Sequence, residues 1–253
     1  MAWSPPLTLA EKLKHFFFPS RLYLWLVVKK NMKKGENELH LLPFMTDKNK
    51  ASIDIGANKG VFTYLLSKMS THVYAFEPNP KVYKVLISRK IKNAITYQVA
   101  ISDKSEVTQL LIPLNDKTKR YSNSGASLSK IKVSGASKSV QVEAKTLDSY
   151  AFKNIGFIKI DVEGHEIPLL KGAMNTLQEN RPVLMIELEE RHTKQPIESL
   201  IKEVESYGYR SLFMKRKQLT DISMFDPDKH HRNPAVREDY VFNFIFIPAV
   251  APK

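Results

Sequence analysis

Residues 53–60 read IDIGANKG, and residues 75–80 read AFEPNP. Each stretch is a short apolar run of strand length that gives way to small residues and contains one carboxylate. The first carboxylate is Asp54, and the second is Glu77, twenty-one residues after Gly56. In an open parallel sheet, ligands lie beyond the carboxyl ends of the strands, where a strand turns into the next helix. The two stretches therefore predict a sheet edge that binds a small molecule.

Runs of strand length alternate with amphipathic segments of helix length along most of the chain. The order from residue 51 to residue 102 is strand, helix, strand, helix, strand, and the alternation resumes at FIKIDVE, residues 157–163. Repeated strand–helix units are typical of a mainly parallel sheet that is covered by helices on both faces. The sequence therefore predicts a doubly wound α/β fold.

The boundaries of this domain follow from the same pattern. Residues 49–250 are predicted to form it, after a helical extension over residues 1–48. Inside the domain, VTQLLIPL (107–114) and SVQVEAKTL (139–147) predict a pair of strands, or β-hairpin insertion. The segment between them, residues 115–140, is rich in Ser, Gly, Lys and Asn and offers little apolar surface. We expect it to be a mobile loop of the kind that often covers a binding site.

The charge of the chain is strongly positive. It has 253 residues with 39 Lys and Arg against 26 Asp and Glu, a formal net charge of +13. Such a charge favours an anionic partner, whether nucleic acid, an acidic glycan or a lipid head group, although a solvated basic face explains it equally well. Residues 15–28, HFFFPSRLYLWLVV, are apolar but too short to cross a bilayer. Residues 13–34 are expected either to pack on the core or to make peripheral contact with a membrane surface.

The turn G-A-N-K-G after the first strand distinguishes between kinds of nucleotide ligand. The dinucleotide fingerprint G-x-G-x-x-G has a glycine where the backbone meets pyrophosphate, and that position is Asn58 here. A phosphate-binding G-K-S or G-K-T is also missing from the turn. A nucleoside with a zwitterionic tail and no phosphate fits better, and S-adenosylmethionine is such a ligand. Glu77 is then expected to accept hydrogen bonds from both ribose hydroxyls, and Asp54 to meet the amino group directly or through water.

A series of seven motifs resembles the FkbM family of S-adenosylmethionine-dependent methyltransferases over roughly residues 36–247. The motifs are IDIGANKGVFT, AFEPNP, AISD, TLDS, FIKIDVEGHE, LLKGA and PVLMIELEERH. The resemblance implies a class I, Rossmann-like sheet of seven strands and O-methylation of a hydroxyl on a sugar, a glycan or a related natural product. It also implies a set of residues around S-adenosylmethionine: Asp54, Gly56, Asn58 and Gly60 at the methionine end, Glu77 at the ribose and Asp103 on the adenine side.

The motif KIDVEGHE, residues 159–166, predicts where the methyl acceptor lies, because it places four ionisable groups within six residues at the ligand-binding edge. A hydroxyl nucleophile needs a base to take its proton. His165 is the first candidate and Glu163 the second. Asp161 is expected to fix the turn or, with Glu187, to offer oxygen ligands to a divalent metal. The metal-free alternative is favoured. The next strand ends in a similar group of residues: Glu187, Glu189, Glu190 and His192.

Two other functions compete with this interpretation. A nucleic-acid methyltransferase would suit the positive charge. However, the chain has neither an N-P-P-Y-like tetrapeptide for an amino acceptor nor a cysteine for attack on a pyrimidine. A non-catalytic, membrane-associated protein that binds S-adenosylmethionine is the third alternative. The absence of cysteine also excludes disulfides and thiolate zinc sites, so a cytoplasmic location is the simplest interpretation.

Overall fold

The computed structural model describes residues 20–34, 37–115, 120–133 and 135–249. Its α-helices are α1 Ser20–Lys34, α2 Leu42–Met45, α3 Val61–Leu66, α4 Pro80–Ser88, α5 Glu166–Lys171, α6 Met174–Asn180, α7 Glu190–Thr193 and α8 Ile197–Ser206. Its strands are β1 Ala51–Ile55, β2 Val73–Phe76, β3 Ala94–Tyr97, β4 Ala100–Ile101, β5 Glu106–Asn115, β6 Arg120–Tyr121, β7 Ser137–Lys145, β8 Ile155–Ile160, β9 Val183–Glu187, β10 Tyr209–Lys215, β11 Gln218–Asp221 and β12 Asn243–Pro248.

The larger sheet contains eight strands among the described residues, in the order β11-β10-β12-β9-β8-β1-β2-β3. The five strands from β9 to β3 run parallel to one another, whereas β12, β10 and β11 pair antiparallel. The doubly wound α/β fold is thus confirmed, with a mixed rather than purely parallel sheet. The hairpin strand β11 adds one edge strand to the seven expected.

A second sheet of four strands, β4-β7-β5-β6, stands beside the first. The predicted strand pair is confirmed, because β5 and β7 pair antiparallel from Glu106 to Pro113. One prediction is corrected: ITYQVAIS is two strands, β3 in the larger sheet and β4 in the smaller. Inside the segment expected to be a mobile loop, Ser127 and Val133 are buried. Its mobility stays a prediction, and residues 116–119 lie outside the described residues.

The core lies between the larger sheet and its helices. Every residue of β1 is buried, as expected for a central parallel strand covered on both faces. Helix α8 buries one face, formed by Ile197, Leu200, Ile201 and Val204. The segment PLLKGAMNTLQEN, residues 168–180, has the length of a single helix but is divided between α5 and α6 at Gly172, where a Cβ atom would lie 2.0 Å from the carbonyl oxygen of Ser102.

The amino-terminal region is helical where the structure describes it, over most of residues 20–45. Helix α1 packs through Leu24 and Val28, which are both buried. Residues 1–19, which carry most of the predicted membrane-contact segment's aromatic run, lie outside the described residues. Within the described parts of the chain, every helix falls short of the length and apolar character that a bilayer-spanning segment needs.

Candidate active site

The turn after β1 combines glycines with left-handed backbone. Gly56 and Gly60 have φ angles of 81° and 86°, and Asn58 between them has a φ of 49°. A Cβ atom on Gly56 would lie 1.8 Å from the carbonyl oxygen of Asp161. The neighbouring strand β8 therefore excludes a side chain at this position, in addition to the left-handed conformation that favours glycine.

Glu77 follows β2 and faces the same turn. Its Oε2 accepts a hydrogen bond from the backbone N–H of Asn58 at 2.9 Å, and its Oε1 accepts one from the N–H of Asn79 at 2.8 Å. These bonds fix both carboxylate oxygens and leave each with a further lone pair. Burial raises the pKa of Glu77 to about 7, although the two backbone donors oppose the shift.

Asp54 lies beneath the turn and is fully buried. Its Oδ2 accepts a hydrogen bond from the hydroxyl of Thr63 at 2.6 Å, and its Oδ1 accepts none from the described residues. Burial raises the pKa of this carboxyl, and the nearby ammonium of Lys159 opposes that shift. The carboxylate is not among the groups that line the cavity described next.

A cavity opens beyond the carboxyl ends of β1, β2 and β8, between the two sheets. Its enclosed space is about 60 Å³, and the space that includes its open mouth is about 620 Å³. The apolar part of its wall is formed by Ile55, Phe76, Pro78, Val99, Ala100, Ile101, Leu110, Ala126, Leu128 and Val162. The polar part is formed by Asn58, Glu77, Asn123, Ser127, Asp161, Glu163 and His165.

His165 belongs to a chain of hydrogen bonds on one side of this cavity. The Ser102 hydroxyl donates to Oδ1 of Asp103 at 3.0 Å and lies 2.9 Å from Nε2 of His165. Ser102 thus links Asp103 and His165 through its hydroxyl. Burial lowers the pKa of His165, and the charge of Asp103 opposes the shift. His165 therefore lies on the side where the sequence resemblance places adenine.

Glu163 lies in the turn after β8 and meets a lysine from the segment between β6 and β7. Its Oε2 accepts a hydrogen bond from Nζ of Lys132, which is also 2.7 Å from Nε2 of His192. The hydroxyl of Ser127 donates to the carbonyl oxygen of Glu163 at 2.6 Å. Burial raises the pKa of Glu163, whereas Lys132 opposes the shift. Burial, reinforced by Lys132, lowers the pKa of His192 to about 3.

The conformation of this turn depends on Gly164 and Glu166. Gly164 has a φ of 93°, and a Cβ atom there would lie 2.8 Å from the carbonyl oxygen of His192. Its N–H donates to Oε1 of Glu166 at 2.8 Å. Glu166 is buried, which raises its pKa to about 7. These contacts give Glu166 a structural role in closing the turn, as a carboxylate near a helix amino terminus often has.

Three potential metal ligands lie at the edge of the cavity. The donor atoms of Glu163, Glu187 and His192 are all within 4.8 Å of one another. Asp161, which the sequence pairs with Glu187, instead accepts a hydrogen bond from Nζ of Lys159 at 2.8 Å. The predicted Asp161–Glu187 metal pair stays a prediction.

Comparison with known proteins identifies the chain's relatives. Residues 54–211, more than half of the chain, match the family model described as the methyltransferase FkbM domain. The chain belongs to the FkbM methyltransferase family. It is therefore an S-adenosylmethionine-dependent methyltransferase, as the motifs predicted, and no curated protein is a significant sequence match to it.

Solved structures share the fold of this FkbM methyltransferase. It is similar to the methyltransferase FkbM of Methylobacillus flagellatus, with 14% identity and a TM-score of 0.52 over 90% of this chain. The aligned region spans 55% of the M. flagellatus protein. A Streptococcus mutans protein described as a methyltransferase, solved with S-adenosylhomocysteine (SAH), has 13% identity and a TM-score of 0.50. That alignment covers 83% of this chain and 94% of the other.

Two residues of the FkbM methyltransferase site were missed by the sequence interpretation. Lys159 gave a signal, because a charged residue stands in the middle of the apolar strand FIKID; its side chain is buried and bonds Asp161. Lys132 gave none, since it is one of several lysines in a polar segment. His192 was noted in the motif IELEERH but was assigned no role.

Proposed function

We propose that this FkbM methyltransferase methylates a hydroxyl group of a sugar, a glycan or a related natural product. The observation that carries the proposal is the position of Glu163, which lines the cavity and is held there by Lys132 beside His192. A carboxylate in the cavity wall, with an ammonium and an imidazole beside it, suits an acceptor with several hydroxyls.

The described residues fit S-adenosylmethionine. Glu77 presents two oxygens already oriented by backbone N–H groups, and each can accept one ribose hydroxyl. Asp54 lies under the turn and outside the cavity lining, so its predicted contact with the amino group stays a prediction. The apolar wall from Val99 to Ile101 accommodates the adenine, and Asp103, which accepts from Ser102, follows that wall in the chain. When bound, S-adenosylmethionine supplies a methyl group that is already electrophilic.

Glu163 is the base that the geometry favours. The alternative base, His165, has its Nε2 engaged with the Ser102 hydroxyl at 2.9 Å and lies on the side assigned to adenine. Glu163 accepts the proton of the acceptor hydroxyl, and Lys132 and the backbone contact from Ser127 hold it in place. Asp161, fixed by Lys159, aligns the acceptor beside it. Most of the acceleration then comes from alignment and the rest from proton removal.

The affinity for SAH is expected to rise with pH up to about pH 7 and then to level off. Burial raises the pKa of Glu77 to about 7 in the free protein, so binding at lower pH must first remove a proton. Two hydroxyl donors stabilise the ionised form and lower the pKa in the complex. Affinity therefore falls by up to ~10-fold per pH unit below 7. Calorimetric titrations with SAH at several pH values below and above 7 measure this dependence. The Glu77→Gln variant should bind SAH with an affinity that does not change with pH. If its affinity still falls below pH 7, the proton belongs to another group.

Turnover is expected to be insensitive to chelators. The Lys132 ammonium already donates to Glu163 and lies within hydrogen-bonding distance of His192, so the chain supplies positive charge where a cation would be placed. Incubation with EDTA should leave the methyl-transfer rate unchanged. Loss of activity that Mg²⁺ or Mn²⁺ restores would instead assign Glu163, Glu187 and His192 as ligands of a catalytic metal.

A nucleic-acid acceptor is the main competing function, favoured by the net charge of +13. Proteins that hold single bases usually stack them on exposed aromatic rings. The aromatic residues in the described lining of the cavity are Phe76 and His165, and Phe76 is fully buried. Transfer of a tritiated methyl group to nucleotide sugars, lipid-linked glycans and RNA, assayed side by side, tests the proposal. Labelling of RNA alone would overturn it, and labelling of none would favour a non-catalytic binding protein.

The same proposal places the enzyme in the cytoplasm, in peripheral contact with a membrane. The support for the cytoplasm is the sequence without cysteine, which needs no oxidising compartment. The support for membrane contact is the lysine-rich helix α1, whose Lys29, Lys30 and Lys33 are exposed. Cell fractionation of the tagged protein tests both statements.

A further inference from the structure

Helix α1 has an apolar stripe that faces away from the protein body. Leu22, Trp25 and Leu26 are 48%, 46% and 42% exposed, and their spacing of three and four residues places them on one side of the helix. Leu24 and Val28 on the other side are buried against the body. A stripe of this composition, with an aromatic ring among leucines, is typical of helices that lie in the interface of a bilayer.

Basic residues continue this stripe toward the end of the helix. Lys29, Lys30 and Lys33 are exposed, and the ammonium of Lys29 lies 4.9 Å from the centre of the Trp25 ring. Lysine stems can extend along apolar surface while the ammonium groups reach phosphate oxygens. The helix thus combines apolar and cationic groups on its outward side.

A basic cavity adjoins α1 and is independent of that stripe. Four cationic residues line it, and its described lining contains no carboxylate: the cations are Lys68, Arg89, Lys90 and Lys92. Leu24 and Tyr64 form its apolar wall. Arg89 is only 3% exposed, and its guanidinium lies 5.0 Å from the centre of the Tyr23 ring on α1. The exposed Lys90 and Lys92 beside it offer ammonium groups that can bind a phosphate group.

We propose that the α1 surface, defined as the outward side of Leu22–Lys33 with the exposed Lys90 and Lys92 of the neighbouring basic cavity, docks the enzyme on a bilayer that contains anionic lipids. The apolar stripe enters the interface, and the lysines of α1 and of the cavity face the phosphates of the head groups. The complementarity of charge argues for a bilayer rather than a second copy of the chain, which would bring two basic surfaces together. The inference defines the site of the membrane contact proposed above and does not depend on the identity of the methyl acceptor.

Trp25 provides a direct probe of this docking. The chain has two tryptophans, Trp3 and Trp25, so Trp3→Phe leaves Trp25 as the sole reporter. Vesicles of equimolar phosphatidylcholine and phosphatidylglycerol should shift its emission to shorter wavelength and sediment the protein, in a salt-sensitive way. Vesicles of phosphatidylcholine alone should do neither. Equal binding to both vesicles, or no shift with either, would overturn the proposal.

Two sets of variants locate the contact. Trp25→Glu with Leu26→Glu, and separately Lys90→Glu with Lys92→Glu, should each weaken vesicle binding about tenfold or more. Val107→Glu with Met224→Glu, at exposed apolar positions elsewhere, should bind as the unmutated protein does. Unaltered binding by both α1-surface variants overturns the proposal. Dimerisation that depends on protein concentration and is abolished in the Trp25 variant would also overturn it. Binding of inorganic phosphate at the basic cavity, without any binding to vesicles, would overturn it as well.

The two proposals fail in different ways. SAH affinity should be unchanged in all of these variants, because none of the substituted residues lines the cavity of the active site. If the unmutated protein binds SAH but not vesicles, only the proposal for the α1 surface is wrong. If it binds vesicles but transfers no methyl group to any acceptor, only the proposed function is wrong.

Discussion

Glu77→Ala is expected to weaken binding of S-adenosylmethionine and SAH by about 30- to 150-fold, which corresponds to about 2 to 3 kcal/mol. One carboxylate is proposed to accept both ribose hydroxyls, and hydrogen bonds to a charged group are the stronger kind. The substitution also removes the acceptor of the N–H groups of Asn58 and Asn79. The turn that shapes the methionine end of the cavity then loses its anchor.

Calorimetry with SAH measures this effect directly. Glu179→Ala is a matched control, because Glu179 is exposed and pairs with Lys153 far from the cavity lining. Thermal melting separates lost affinity from lost folding. Unaltered affinity in the Glu77 variant would refute the ribose assignment, and so would binding of NAD with comparable strength.

Glu163→Gln is expected to lower kcat by ~10² to 10⁴ with little change in SAH affinity. The amide keeps the size of the side chain and can still accept from Lys132, but it cannot take the proton of the acceptor hydroxyl. The loss should shrink at high pH, because the acceptor then ionises without help from the protein. Initial rates at saturating S-adenosylmethionine, measured over a range of pH, give the effect.

His165→Asn distinguishes the two candidate bases. If Glu163 is the base, this variant should mainly weaken S-adenosylmethionine binding, because His165 joins the Ser102–Asp103 chain. A large drop in kcat for His165→Asn, with Glu163→Gln fully active, would return the role to His165. The order of the two bases would then be the one that the motif KIDVEGHE first suggested.

The ligand-binding edge of the sheet could be predicted from sequence because its determinants are local. Apolar runs of strand length identify β1, β2 and β8, and the acids and glycines after them mark their carboxyl ends. Parallel strands bring those ends to one edge of a sheet. Glu77 and Asp161 were therefore both expected at the ligand-binding edge, and both line the cavity.

The structure changes the interpretation of one glycine and of one acid. Gly56 was placed at the methionine end of the ligand, and what requires glycine there is the carbonyl oxygen of Asp161, which occupies the space where a Cβ would be. Asp54 was expected to meet the amino group of the ligand, whereas its side chain is buried under the turn, outside the cavity lining, and accepts from Thr63. Both differences arise from contacts between neighbouring strands and helices, which a single strand pattern does not contain.

The sequence by itself thus determined the class of fold, the family and the ligand-binding edge, because periodic burial and turn conformation are fixed over a few residues. Only the tertiary structure decided how the acceptor groups are arranged. Lys132 meets Glu163 across 31 residues of chain and His192 across 60. Such contacts depend on how the second sheet packs on the first. A lysine that is one of many in a polar segment becomes distinct only when folding places it between a carboxylate and an imidazole.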